Sequence, residues 1–268
     1  MTQSLAYIHP DAKLAQGVEV EPFAMIHHDV EIGEGTWIGS HAVINAGARI
    51  GKNCRIYPGA VVSATPQDLK YNNEYTLTIV GDNTTIREYA TISRGTEEHW
   101  KTVIGSDCLI MAYAHVAHDC RVGNSCIIGN NVQMAGHVHV GDWAIISALS
   151  AVHQFVKIGS HSFISGASLV RKDVPPFTKA AREPISYAGI NSVGLRRRGF
   201  SNEKIVEIQN IYRQIYMRGF NNAVALEKVE LESPPSDERD EIVNFIRNSE
   251  RGIMKSPFQS NGGGEPEL

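Results

Sequence analysis

The chain has 268 residues, 42% of them hydrophobic and only 7% aromatic, with a formal net charge of −4 at neutral pH. No stretch approaches the roughly 18 consecutive apolar residues of a membrane span, and the opening MTQSLAYIHP lacks the charged and apolar regions of a signal peptide, so a cytoplasmic protein is expected. The length suits one long β domain with a smaller appendage.

From Ile8 to Val170, 25 of the 28 residues spaced by six are aliphatic, and the exceptions, Asp68, Glu74 and Glu98, fall in polar stretches. One hexad cannot bury its apolar residue alone, but many stacked on each other can. The residue two before the aliphatic is usually small, as at Ala24, Ala42, Ala60, Ala114 and Ala144, which gives a short strand two inward positions. Glycine follows the aliphatic nine times, which suits a corner in need of a permissive backbone. Three such sides close a coil of 18 residues, so residues 1–184 are expected to form a parallel β-helix. Residues 63–78 and 93–102 break the pattern without breaking its phase, since Val62 to Val80 is 18 residues and Ile92 to Ile104 is 12. They are read as loops thrown outward, a kind of insertion that usually serves function. Cys54, Cys108, Cys120 and Cys126 all occupy the small inward slot and are read as core fillers. No metal and no cofactor is expected.

Six of the eleven histidines lie between His115 and His161. With Ala114 and Val116 inward, His115 faces outward, Ala117 and His118 form a corner, and Asp119 opens the next side facing out. One coil further on, Gly136 lies over His118 and His137 over Asp119; after another, Gln154 lies over Gly136 with His153 beside it. Stacked strands are about 4.8 Å apart, so His118, His137 and His153 are expected in one outward column. An imidazole can take a proton at neutral pH, an adjacent carboxylate can orient it, and an unobstructed glycine amide can stabilise an oxyanion. His118, Asp119 and Gly136 are therefore candidates for base, orienting group and oxyanion donor.

Beyond Pro184 helical signals replace the hexad. Ser201 is a good N-cap for a helix over 201–218, a second is expected over 221–231, and a third over 237–248 with Ile242, Phe245 and Ile246 on one face. These fill a C-terminal helical domain over 185–255, and residues 256–268 read as a disordered tail. Residues 171–218 carry ten Lys and Arg against four Asp and Glu, centred on Arg196, Arg197 and Arg198, which suggests an anionic partner. No motif for reading nucleic acid accompanies them.

The strings TPQDLKY (65–71), TISRGT (91–96), AHVAHDC (114–120), MAGHVHVGD (134–142), AVHQFVKIG (151–159) and GLRRRGF (194–200) closely resemble the UDP-N-acetylglucosamine acyltransferase family. The resemblance runs to about residue 250 and implies a left-handed β-helix. It also implies transfer of an (R)-3-hydroxyacyl group from acyl carrier protein to the 3-hydroxyl of UDP-N-acetylglucosamine, the first step of lipid A biosynthesis. By the same resemblance His118 is the general base, Asp119 its partner and Gly136 the oxyanion amide. Asp68, Lys70, His115 and His137 match positions that contact sugar nucleotide or acyl chain, while His153, Gln154 and Arg198 match others lining the cleft. Gly166 matches the position that sets acyl-chain depth. The family is homotrimeric, with active sites between prisms, and the basic C-terminal region would meet the acidic carrier protein. Two rivals on the same prism are a later-step glucosamine N-acyltransferase, which normally carries an extra N-terminal domain, and a zinc hydratase of the carbonic anhydrase kind.

Overall fold

The computed structural model describes residues 5–256, so the expected tail lies, from residue 257 on, outside the described residues. Strands of two to four residues recur from Tyr7–Ile8 to Leu169–Val170. They form three sheets of nine, eight and ten strands in which, along the coil, each strand pairs in parallel with the third one before and after it. The pairs Tyr7↔Met25, His115↔Gln133 and Gln133↔Ala151 each span the expected 18 residues. At the two excursions Val61 pairs with Thr91 and Thr91 with His115, so 12 and six residues are looped out and the register survives.

The hexad aliphatics point inward and are fully buried at Ile26, Ile38, Ile44, Ile56, Ile110 and Ile128, with the small residues Ala24, Ala42, Cys54 and Cys108 beside them. Each such burial stabilises the prism by about 1.5–3 kcal/mol.

The corners differ from the expectation. None of the nine glycines that follow an aliphatic has a positive φ. They are needed for close approach: a Cβ on Gly105 would lie 2.5 Å from the carbonyl oxygen of Gly123 in the next coil. The left-handed residue comes two positions later, at Asp107, Tyr113, Asp119, His137, Trp143 and Phe155, with φ of 58°, 61°, 60°, 62°, 61° and 63°. Such a conformation costs a non-glycine residue of order 1–3 kcal/mol. Stacking between coils helps to offset it, as in Tyr89 on Tyr113 (5.2 Å) and the ladder of Trp143, His161 and Phe177 (6.3 and 5.5 Å between ring centres).

After the last hexads, strand Thr178–Ala181 extends the ten-stranded sheet and Ser186–Ile190 returns antiparallel to it. This hairpin was not expected, nor was the short helix α1, Ser192–Arg197, capped by Asn191. The three expected helices follow as α2 (Asn202–Met217), α3 (Asn222–Glu232) and α4 (Asp237–Arg247), with Ser201, Asn221 and Ser236 as N-caps. Tyr212 of α2 is wholly buried and donates to the Pro176 carbonyl at 2.5 Å. The buried Asp173 carboxylate accepts from the Lys157 amide and the Ser249 hydroxyl, tying the segment after α4 to the final coils.

Burial first, and then the Arg198 guanidinium, push the His161 imidazole from 6.5 down to about 4. The unfolded chain therefore holds this proton more tightly, and the stability contributed by neutral His161 is complete above about 6.5 and lost as the pH falls towards about 4. Melting curves between pH 7 and pH 4 are expected to show a steeper loss of Tm for the wild type than for His161→Phe, which keeps the ring stack without the titration. Equal slopes would remove His161 from the account.

Candidate active site

The edge between the nine- and eight-stranded sheets carries the candidate catalytic residues. Its corners place His118, Gly136 and Gln154 one above another, and next to them Asp119, His137 and Phe155 in the left-handed slot, as the strand register dictates. The His118 and His137 rings meet edge to face at 5.0 Å, and Phe155 stacks on His137 at 4.5 Å. His153 does not join this column: it sits one residue before the corner, over Ala135, and its Nδ1 donates to the Gln154 carbonyl at 3.1 Å.

Asp119 is also not where the sequence reading put it. It turns the corner rather than opening the next side, and it is completely buried. The loop that leaves the coil after Ser93 folds over it, so that the carboxylate accepts from the Thr96 amide (3.0 and 3.2 Å), the Thr96 hydroxyl (2.7 Å) and His118 Nδ1 (2.9 Å). Its own amide donates to Thr102 Oγ1 at 2.8 Å. Burial alone would raise the Asp119 carboxyl, but the hydrogen bonds from His118 and Thr96 together outweigh it and hold the group below its ordinary value. Asp119 is thus an anion that can only accept, which fixes the His118 proton on Nδ1 and leaves the Nε2 lone pair facing outward. Asp68 Oδ2 lies 3.9 Å from that Nε2.

Gly136 packs directly on the imidazole. A Cβ there would be 2.6 Å from His118 Cε1 and 2.8 Å from Nε2, so only glycine lets the next coil come this close. Among the described residues the Gly136 N–H donates to no protein group. The coil geometry explains this: the amide before the corner and that of its second residue bond to neighbouring coils, as Ala135 does to Val152 and His137 to His118, whereas the first corner amide does not.

Around this edge the two loops enclose a cleft of about 980 Å³ lined by Asp68, Lys70, Glu74, His118, His137 and Gln154, among others. Glu74 joins them, accepting from the Glu97 amide at 3.2 Å and the Asn72 amide at 2.7 Å. His115 faces outward on the adjoining sheet, bonded to Thr91 Oγ1 at 2.7 Å, and burial, then the nearby His118, hold it below the usual imidazole range. Burial does the same for His137. The four cysteines are buried, and burial pushes the Cys120 thiol up to about 12, so it is no nucleophile at neutral pH.

Two of the expected site residues are elsewhere. Arg198 ends α1 on the edge between the eight- and ten-stranded sheets, stacking on Trp143 at 5.3 Å and donating to His161 Nδ1 at 3.3 Å. Gly166 turns a corner on the third edge, against the Ala148 carbonyl oxygen. The residue that sequence reasoning missed is Thr96. It stands in the quoted string TISRGT, but nothing in a periodic pattern says which loop residue folds back onto a corner.

A family model for the bacterial transferase hexapeptide (six repeats) matches residues 11–45, 29–64 and 101–136. Another, described as UDP N-acetylglucosamine O-acyltransferase, domain 2, matches residues 173–254. The acyl-[acyl-carrier-protein]–UDP-N-acetylglucosamine O-acyltransferase of Burkholderia mallei is 45% identical over 203 residues, covering 72% of this chain and 76% of that protein. The chain belongs to this family of acyltransferases. Two solved structures of UDP-N-acetylglucosamine acyltransferases share the fold. That from Bacteroides fragilis is 50% identical with a TM-score of 0.94, covering 95% of this chain and 100% of its own. That from Acinetobacter baumannii is 41% identical with a TM-score of 0.92, covering 95% and 99%. The prism is accordingly a left-handed parallel β-helix with a C-terminal helical region. Membership sets aside both rivals, the N-acyltransferase and the zinc hydratase.

Thr96→Val removes one charge-assisted hydrogen bond to Asp119, worth roughly 1.5–3 kcal/mol, so kcat is expected to fall about 10- to 100-fold with KM near the wild-type value. Thr96→Ser keeps the hydroxyl and should keep the rate. A serine variant as slow as the valine one would point to damaged packing instead.

Proposed function

We propose that the chain transfers an (R)-3-hydroxyacyl group from acyl carrier protein to the 3-hydroxyl of UDP-N-acetylglucosamine, the first step of lipid A biosynthesis. The observation that carries this reading is His118 held between a buried, ionised Asp119 and the bare amide of Gly136. In the proposed reaction His118 Nε2 takes the proton of the sugar 3-hydroxyl as its oxygen attacks the thioester carbonyl. The oxyanion of the tetrahedral intermediate accepts from the Gly136 N–H, and Asp119 stabilises the imidazolium. Collapse breaks the carbon–sulfur bond, and His118 returns the proton to the departing thiolate of the carrier. Asp68, Lys70, His137 and Gln154 line the cleft where sugar nucleotide and acyl chain would lie, with His115 and His153 on its flank. In this reading the reaction runs in the cytoplasm, as expected from the sequence; no helix among the described residues is long and apolar enough to cross a membrane.

The positions of Gly166 and Arg198 support a shared site. The edge bearing Gly166 also exposes Phe23, Tyr89, Tyr113 and Leu149. The ten-stranded face beside it presents Leu109, Ile127, Ile145 and Phe163, whereas the eight-stranded face presents charges, among them Lys13, Glu31, Arg49, Arg121 and Lys157. An apolar vertex with an apolar face suits a closed cyclic assembly. With that vertex at a threefold axis, the nine-stranded face of one chain meets the ten-stranded face of the next, so that Arg198 of a neighbour approaches His118 while Gly166 lies at the axial end of the same interface. Glycine at 166 would leave room for a long acyl chain.

Incubation with UDP-N-acetylglucosamine and a series of 3-hydroxyacyl carrier proteins should yield the O-acylated sugar nucleotide, its mass reporting chain length. His118→Ala should lower turnover by about 10²–10⁴; a loss within tenfold would refute the base. Sedimentation should give three times the 29.4 kDa chain mass. Mixed trimers of His118→Ala and Arg198→Ala chains should regain part of the wild-type rate, because some clefts then combine two intact contributors. No regain would mean that each chain works alone.

A further inference from the structure

The second loop brings more than Thr96 to the column. Glu98 places Oε2 at 3.5 Å from His137 Nε2, and the His99 ring approaches His137 at 5.5 Å between centres with an angle of 71°, edge towards face. One ligand atom from each of Glu98, His99 and His137 lies within 4.8 Å of the others. Tetrahedral zinc at about 2.0–2.2 Å from its ligands separates them by about 3.3–3.6 Å, so the Glu98–His137 pair already has the spacing. The other two distances, each within 4.8 Å, need only a small movement, which a partly exposed His99 and a Glu98 side chain 58% exposed to solvent can supply.

A second observation is independent of that spacing. His137 is nine-tenths buried, its Nε2 turned to Glu98, and its Nδ1 has no hydrogen-bond partner among the described residues; the buried Nδ1 of His99 has none either. A buried imidazole nitrogen left without a partner, as at His99, is uncommon and marks a place where a further ligand fits, while the His137 nitrogen offered to an ion is the Nε2 that Glu98 faces. A neighbouring trio, His118, Asp119 and His137, has similar spacing, but there the carboxylate is already committed to Thr96 and the His118 N–H. Glu98 and His99 have no such commitment to the catalytic column.

We propose that Glu98, His99 and His137 form a binding site for a divalent transition ion of the zinc class, and that an ion bound there inhibits acyl transfer. Two imidazoles and one carboxylate are a zinc donor set, with the fourth position left to water. The ion would take His137 out of the cleft and set a positive charge beside His118, whose ring is 5.0 Å from that of His137. The site is thus a brake on the enzyme rather than part of its chemistry. The inhibition rests on the function proposed above; the binding does not.

The test uses full-length protein without a metal-binding tag, in thiol-free buffer, titrated with zinc chloride in competition with a chromophoric chelator and separately with cobalt chloride. The four cysteines are buried and free, so visible cobalt bands should lack the intense charge-transfer absorption of thiolate ligation. One equivalent per chain is expected. His99→Gln, with an unchanged melting temperature and basal rate, should bind at least about tenfold more weakly, as should Glu98→Gln. Zinc at a concentration that halves wild-type acyl transfer should leave His99→Gln nearly unaffected. Absence of stoichiometric binding, or His99→Gln binding as tightly as wild type, would overturn the site. Tight binding without loss of rate would overturn the brake, and a protein inactive in acyl transfer that still binds one ion through His99 would sink the functional reading while leaving the site intact.

Discussion

Everything in this molecule depends on the coil repeating every 18 residues, so that a residue's height on the prism and its edge follow from its number. The repeat is enforced by burial of one aliphatic and one small side chain per hexad, and by glycines where successive coils approach too closely for a Cβ. A one-residue slip would turn the apolar set outward, so the register is strongly specified. The candidate catalytic column is a by-product of that register: His118 meets Gly136 because they differ by 18, not because of any local signal between them.

The second determinant is electrostatic. A carboxylate removed from water is costly unless hydrogen-bonded, and Asp119 escapes the cost by drawing in Thr96 from a loop and His118 from the same corner. One buried charge therefore anchors the loop to the prism and sets the tautomer of the ring. The loop that closes the cleft and the imidazole proposed as base are coupled through a single side chain.

Much of this was legible in the residues. The hexad gave the coil, its phase across two insertions, the inward cysteines and the stacking of Gly136 on His118, because burial on one face leaves a periodic trace. The N-cap Ser201 and apolar spacing gave α2, and apolar spacing alone gave α4, each within a residue or two at its start. What stayed hidden has no period. The left-handed slot carries Asp, His, Tyr, Trp and Phe, tolerated through stacking between coils, so its position could not be read from glycine. Asp119 was expected outside because only the fold of residues 94–100 covers it, and His153 was displaced by one residue because the corner was set too early. The terminal hairpin and α1 follow the last hexad and owe their form to packing on the prism end.

The corner slot has a wider consequence. Its backbone path is dictated by the coils above and below, and it accepts side chains from alanine at 167 to tryptophan at 143 without bending. An edge of this prism is then like a rack with evenly spaced pegs, on which one fitting can be exchanged while its neighbours stay where they are. Selectivity in such a scaffold can drift by single exchanges along an edge, and the frame that holds the fittings need not be rebuilt.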